Sequence, residues 1–120
     1  MTTTVLIVDD NRAFRALARM VLEAGGIEVV GEAGDAASGL DAARRLHPQV
    51  VLLDVRLPDA DGLSIAAQFG DDETRPAVVA ISTQDPRSLE RRIGQSAVRG
   101  FIPKAELSVP RLLAVVGAAP

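Results

Sequence analysis

The groups in this chain best suited to chemistry are three aspartates, one serine and one lysine, each at or just beyond the end of a short apolar run. Asp9-Asp10 follows Val5-Leu6-Ile7-Val8, Asp54 follows Val50-Val51-Leu52-Leu53, Ser82 follows Ala77 to Ile81, and Lys104 comes just after Gly100-Phe101-Ile102. Carboxylates crowded together repel unless a cation holds them, and hard oxygens suit Mg²⁺, which keeps several waters and admits phosphate oxygens to its shell. Aspartate is also a nucleophile for phosphoryl groups. Lys104 and Ser82 could then contact the equatorial oxygens of a phosphoryl group on Asp54. Of the 13 basic side chains, Lys104 is the only lysine. A compact, flexible point charge in a chain that otherwise uses arginine points to a specific task.

Each residue taken alone has a plainer reading. Asp9-Asp10 could be a pair favoured by a helix dipole, and Asp54 an ordinary turn residue before Pro58. Ser82 could be a simple strand-end hydroxyl and Phe101 plain core. It is their company that promotes them. Asp59, Asp61 and Gly62 read as turn chemistry without a metal role. The sole histidine, His47, precedes Pro48 at a helix end and reads as structural.

For these groups to meet, the apolar runs must be strands of one sheet. Val5 to Val8 and Val50 to Leu53 are continuous apolar runs, as strands buried on both faces require. Ile27 to Glu32 alternates more, as an edge strand does. Asn11 to Ala24 puts Phe14, Leu17, Ala18, Val21 and Leu22 on one helical face, and Gly25-Gly26 closes it. Asp35 can cap a second helix bearing Ala36, Leu40, Ala43 and Leu46, which His47-Pro48 stops. A turn-rich loop over Leu57 to Gly62 leads to a short helix from about Leu63 to Phe69. Asp85-Pro86 opens a helix to about Ala97, whose narrow stripe of Leu89, Ile93 and Ala97 predicts a weakly held element beside Ser82. A last helix begins near Ser108 and ends before Gly117; it is apolar nearly all round, through Val109, Leu112, Leu113, Ala114, Val115, Val116 and Ala118. Five strand–helix repeats imply right-handed crossovers and a doubly wound α/β sandwich around a parallel sheet, with function gathered at the carboxyl ends of the strands.

Size and composition agree. The 120 residues suit one domain, 1–120, with no effector domain in it, and 48% hydrophobic against 24% charged residues is ordinary for a globular protein. A net charge of −3 without a basic run lacks the footprint for direct nucleic-acid binding. Without cysteine there is neither a disulfide nor a thiolate metal site. No stretch is long and apolar enough for a membrane span, so a cytoplasmic location is expected.

Four segments together resemble the response regulator receiver family: Val5 to Asn11, Val51 to Gly62, Ala80 to Thr83, and Gly100 to Lys104. The likeness covers essentially the whole chain in order. It implies a five-stranded parallel sheet in the flavodoxin-like order 2-1-3-4-5, an order carried over from the family. It implies that Asp54 is the phosphoacceptor, that Asp9 and Asp10 serve Mg²⁺ directly or through water, and that the backbone carbonyl of Arg56 completes the protein ligands. Ser82 matches the switch hydroxyl, Lys104 the phosphate-contacting lysine, and Phe101 the aromatic that swings between outward and inward positions. The partner implied is a sensor histidine kinase, and the product is a signalling switch that catalyses only its own phosphorylation and dephosphorylation. Most family members carry proline directly after the lysine; here Ala105 follows and Pro103 precedes, and Phe101 stands where tyrosine is commoner. The run from Gly100 to Leu107 resembles the NarL/LuxR-type branch, whose output is transcriptional. A homodimer formed on phosphorylation, a DNA-binding domain outside this chain, and a stand-alone regulator acting by protein–protein contact all fit.

Two other classes also place acids or ligands at strand ends. A haloacid-dehalogenase-like phosphatase would want a second aspartate at position 56, where this chain has arginine. A flavodoxin-like cofactor module would want a phosphate-cradling loop after the first strand, where this chain has acids.

Overall fold

The alternation of apolar runs and amphipathic segments gives, in a computed structural model that describes residues 2–70 and 76–117, five strands and five α-helices in strict succession. They are β1 (Thr4–Val8), α1 (Arg12–Ala24), β2 (Glu28–Ala33), α2 (Ala36–Leu46), β3 (Val50–Asp54), α3 (Gly62–Phe69), β4 (Ala77–Ser82), α4 (Pro86–Gly94), β5 (Gly100–Pro103) and α5 (Val109–Gly117). A single 3₁₀ turn, Lys104–Glu106, joins β5 to α5. The strands are all parallel and stand in the order β2-β1-β3-β4-β5. This is the doubly wound sheet expected from the sequence, in the order the resemblance implied.

Helices cover both faces. Ala18 and Leu22 of α1 and Leu112 of α5 pack on Val5, Ile7, Val50, Leu52, Val79, Ile81 and Ile102. Ala42 of α2 with Ala66 and Phe69 of α3 packs on Leu6, Val8, Val51, Leu53 and Val78 of the other face. Alternate residues of the central strands therefore go to opposite cores, which is why those strands read as unbroken apolar runs. A small third cluster of Val55, Leu63, Ala80 and Leu89 holds the apolar side of α4.

Short polar side chains set the helix starts by satisfying N–H groups that have no partner within the helix. Asn11 accepts from the Phe14 amide at 3.0 Å, Asp35 from Ser38 at 2.7 Å, Asp61 from Leu63 at 3.0 Å, and Asp85 from Arg87 at 2.9 Å with Pro86 in the first turn. Gly26 follows α1 with φ 88°, a left-handed conformation that suits glycine. His47 ends α2 in the same region, at φ 49°, and its amide donates to Ala43. It is a cap, in keeping with its structural reading.

Two expectations need correcting. The fourth helix ends at Gly94 instead of about Ala97, which is exposed beyond it. In a longer helix the Ile93 carbonyl would accept from the Ala97 amide; here the Ser96 hydroxyl takes it at 2.9 Å and the Ser96 amide at 3.1 Å. Leu17 does not join the buried face of α1 but is 53% exposed, because the face runs through Phe14, Ala18 and Leu22 and Leu17 lies on its shoulder. In α5 only Leu112 is buried and Val109, Val115 and Val116 are half-buried, while Leu113 is 43% exposed; Ala118 lies outside the described residues.

Candidate functional site

Register brings the candidate residues to one edge. Val8 pairs with Leu53, so Asp9 and Asp54 emerge side by side. Asp54 pairs with Ile81, which puts Ser82 one step beyond, and Ser82 pairs with Pro103, which puts Lys104 one step beyond that. The groups surround an open cleft of about 370 Å³ lined by Asp10, Asn11, Asp54, Arg56, Leu57, Pro58, Ser82, Thr83 and Lys104. A recess of about 430 Å³ lies elsewhere, between α2 and α3, lined by Leu40, Ala43, Arg44, His47, Phe69 and others, and has no carboxylate or lysine in its described lining.

One carboxylate oxygen each from Asp9, Asp10 and Asp54 lies within 4.8 Å of the others. Asp10 is exposed, Asp9 fully buried and Asp54 5% exposed. Asp9 Oδ1 accepts the Asn11 amide at 2.8 Å, and Asp54 Oδ1 accepts the Arg56 amide at 3.1 Å. Asp9 Oδ2 forms an ion pair with the Lys104 ammonium at 2.6 Å and has no other partner among the described residues. A buried carboxylate oxygen without a donor is costly unless a cation compensates it. Lys104 Nζ also reaches Asp54 Oδ2 at 3.3 Å and stands 4.7 Å from the centre of the Phe14 ring. So Lys104 arrives at the site although proline precedes it and alanine follows it.

Burial pushes the Asp54 carboxyl above its ordinary range and Asp9 pushes it further, against the Arg56 amide and Lys104. Burial pulls the Lys104 ammonium down, but Asp9 and Asp54 outweigh it and the net shift is upward. The ammonium is therefore charged, and the site holds an excess of negative charge around it. Donor chemistry and carboxylate spacing fit a hard divalent cation such as Mg²⁺.

Ser82 is 2% exposed and its hydroxyl accepts the Gln84 amide at 2.9 Å. Phe101 is half-buried and packs against the cluster of Val55, Leu63, Ala80 and Leu89. The Arg56 side chain is exposed, and its residue forms an isolated bridge with Asp61 across the turn.

Some participants escape a reading of the sequence. Asp59 accepts the Ala36 and Ala37 amides at 2.8 and 3.1 Å, so it ties the loop after Asp54 to the start of α2. Those two bonds lower its pKa. Asp61 caps α3 and also holds Arg92 of α4 at 2.6 Å. Phe14 and Arg15 of α1 reach the site from an amphipathic pattern that announced only a core face.

A parallel sheet in this order with polar groups on its carboxyl edge places the molecule among flavodoxin-like α/β domains. Comparison with known proteins narrows this: residues 5–116 match the response regulator receiver domain, and the chain belongs to that family. It is 34% identical over 118 residues to the polar-differentiation response regulator DivK of Brucella ovis, covering 97% of this chain and 94% of DivK. It is 36% identical over 110 residues to a Pseudomonas aeruginosa relative whose name assigns it to transcriptional regulation; that match covers 92% of this chain but only 53% of the relative, so the chain spans about half that protein's length. The signal receiver domain of Mycobacterium tuberculosis NarL superposes with a TM-score of 0.83 at 31% identity, covering 97% of this chain and 98% of that domain. Receiver domains are signalling switches that take a phosphoryl group from a phosphodonor.

Proposed function

We propose that this receiver is switched when Asp54 accepts a phosphoryl group from a sensor histidine kinase, with Mg²⁺ held by Asp9, Asp10, Asp54 and the Arg56 carbonyl. The observation that carries this reading is the trio of carboxylates meeting within 4.8 Å beside Lys104. When bound, the metal supplies positive charge that offsets the incoming phosphoryl oxygens. An Asp54 oxygen attacks phosphorus as the bond to the donor breaks, and Lys104 and Ser82 receive the equatorial oxygens. Ser82 and Phe101 then carry the change to α4, the element with Leu89 as its one buried residue. The test is mass spectrometry after acetyl phosphate with and without Mg²⁺: one added phosphoryl group on the peptide containing Asp54, only with the metal, is expected.

Lys104→Ala is expected to bind Mg²⁺ at least as well as wild type, by up to about tenfold tighter, because a cation within salt-bridge distance of two of the metal's carboxylates is gone. The same variant should lose the conformational response to phosphorylation. A large fall in Mg²⁺ affinity on titration would contradict this role.

The output we propose is transcriptional, through a DNA-binding domain outside this chain, supported by the NarL/LuxR-like run around Lys104; action as a stand-alone regulator is the alternative, supported by the near-full-length match to DivK. Phosphorylation should also promote self-association through the face of α4, β5 and α5 or its neighbours. Leu113 on α5, with Leu17 and Met20 on α1 over the same sheet face, is exposed as contact surfaces are. Sedimentation with beryllofluoride and Mg²⁺ should show a dimer; a monomer at high concentration in both states would favour packing against a further domain.

A further inference from the structure

We propose that Arg15 is a positioning residue for the acidic site, holding the peptide that joins Asp9 to Asp10; this rests on the metal reading above. Its Nη1 donates to the Asp9 backbone carbonyl at 2.6 Å, and its Nε donates to Glu32 at 3.1 Å. The side chain is 16% exposed, so the contact is shielded from competing water. The Asp9 amide is already fixed by the Ala33 carbonyl at 2.9 Å, and the Asp9 carboxylate by Asn11 and Lys104.

The carbonyl was the one free handle on this turn, and Arg15 takes it. Because the peptide is planar, fixing its oxygen also fixes the Asp10 amide and Cα, and so the point from which the exposed Asp10 side chain leaves the chain. Asp10 makes no hydrogen bond or salt bridge of its own to the described residues, so the peptide plane is what places it. Glu32, at the end of β2, serves as the anchor: it holds Arg15 on one oxygen and Arg19 on the other, at 2.7 Å. Pairing with Glu32 also offsets the guanidinium charge near the site, which leaves geometry as the main effect of Arg15. Residues that orient ligands from behind typically change metal affinity by about 10–100-fold.

Arg19 supplies the control. It binds the same Glu32 and carries the same charge, but its recorded partners do not include Asp9. Isothermal titration with Mg²⁺ should show Arg15→Gln weakened by about tenfold and Arg19→Gln within about twofold of wild type. Both variants should melt somewhat lower, since both lose a tie between α1 and β2. Arg15→Lys, which preserves charge and bulk but has one arm for two partners, should fall between wild type and Arg15→Gln, and keeps the test usable should Arg15→Gln fold poorly. Equal Mg²⁺ affinities for the Arg15 and Arg19 variants would overturn the positioning role. A wild-type chain that binds no Mg²⁺ would instead overturn the metal reading, and this role with it.

Discussion

Asp54→Asn should reduce phosphorylation by acetyl phosphate and Mg²⁺ to background while making the protein more stable at neutral pH. The amide keeps the shape of the side chain but is not a nucleophile, so the loss of label is chemical. The gain in stability follows from the raised pKa. Burial, then the neighbouring Asp9, makes the charged form of Asp54 costly in the folded state. A carboxyl whose folded pKa lies above its unfolded value favours the fold fully below the unfolded pKa, and that advantage is lost as pH rises through the folded pKa. Once pH has passed the folded pKa the wild type has lost it, and the asparagine variant has nothing to lose. Its melting temperature should exceed wild type by a few degrees at pH 7, with the gap closing as pH falls below the ordinary carboxylate range. Label retained on the same peptide at the wild-type rate would refute the acceptor assignment; a lower melting temperature at pH 7 would refute the electrostatic account.

Gly62→Ala should be the most damaging single methyl in the described structure. A Cβ at this buried position would overlap the Asp54 carbonyl oxygen, which is backbone and cannot rotate away. The Gly62 amide also donates to Val55 at 2.8 Å, so the two segments cannot separate without breaking that bond. Overpacking against rigid atoms costs about 3 kcal/mol, or roughly 10 °C in melting temperature for a domain of this size. Mg²⁺ affinity should fall too, because the displaced segment carries Asp54 and Arg56. Gly94→Ala, on α4 where nothing lies near the added carbon, is the comparison and should be neutral or slightly stabilising. If the two variants melt alike, steric contact at Gly62 is not what requires glycine there.

The parts legible in the sequence share a physical reason. Asp9, Asp54 and Ser82 could be found because the runs before them are apolar on both faces, which marks central parallel strands and therefore their ends; Lys104 stood out as the only lysine, just after a short apolar run. Asp35 and Asp85 could be found as caps because capping is local in sequence. What stayed hidden depends on contacts across the chain. Asp59 looked like turn chemistry because its partners, Ala36 and Ala37, lie some two dozen residues earlier. The pairing of Arg92 carries no local signal because Asp61 is 31 residues away. Arg15 was invisible for a different reason: its partner at Asp9 is a backbone carbonyl, which no residue type announces. Leu17 shows the limit of periodicity itself, since a helical pattern gives a face but not the width that the sheet will cover.

The strand order has a consequence for the moment of synthesis. The clustered acids follow β1 and β3, but Lys104 follows β5, the last strand made, and reaches back to both Asp9 and Asp54. Domains rich in such long-range pairings fold only once the distant partners are present. A ribosome-bound chain that has exposed its first four strands displays an acidic cluster with no ammonium to balance it and a sheet missing one edge. On the proposed function, such a chain would be a poor phosphoacceptor, because the ammonium that receives the phosphoryl oxygens has not yet been made.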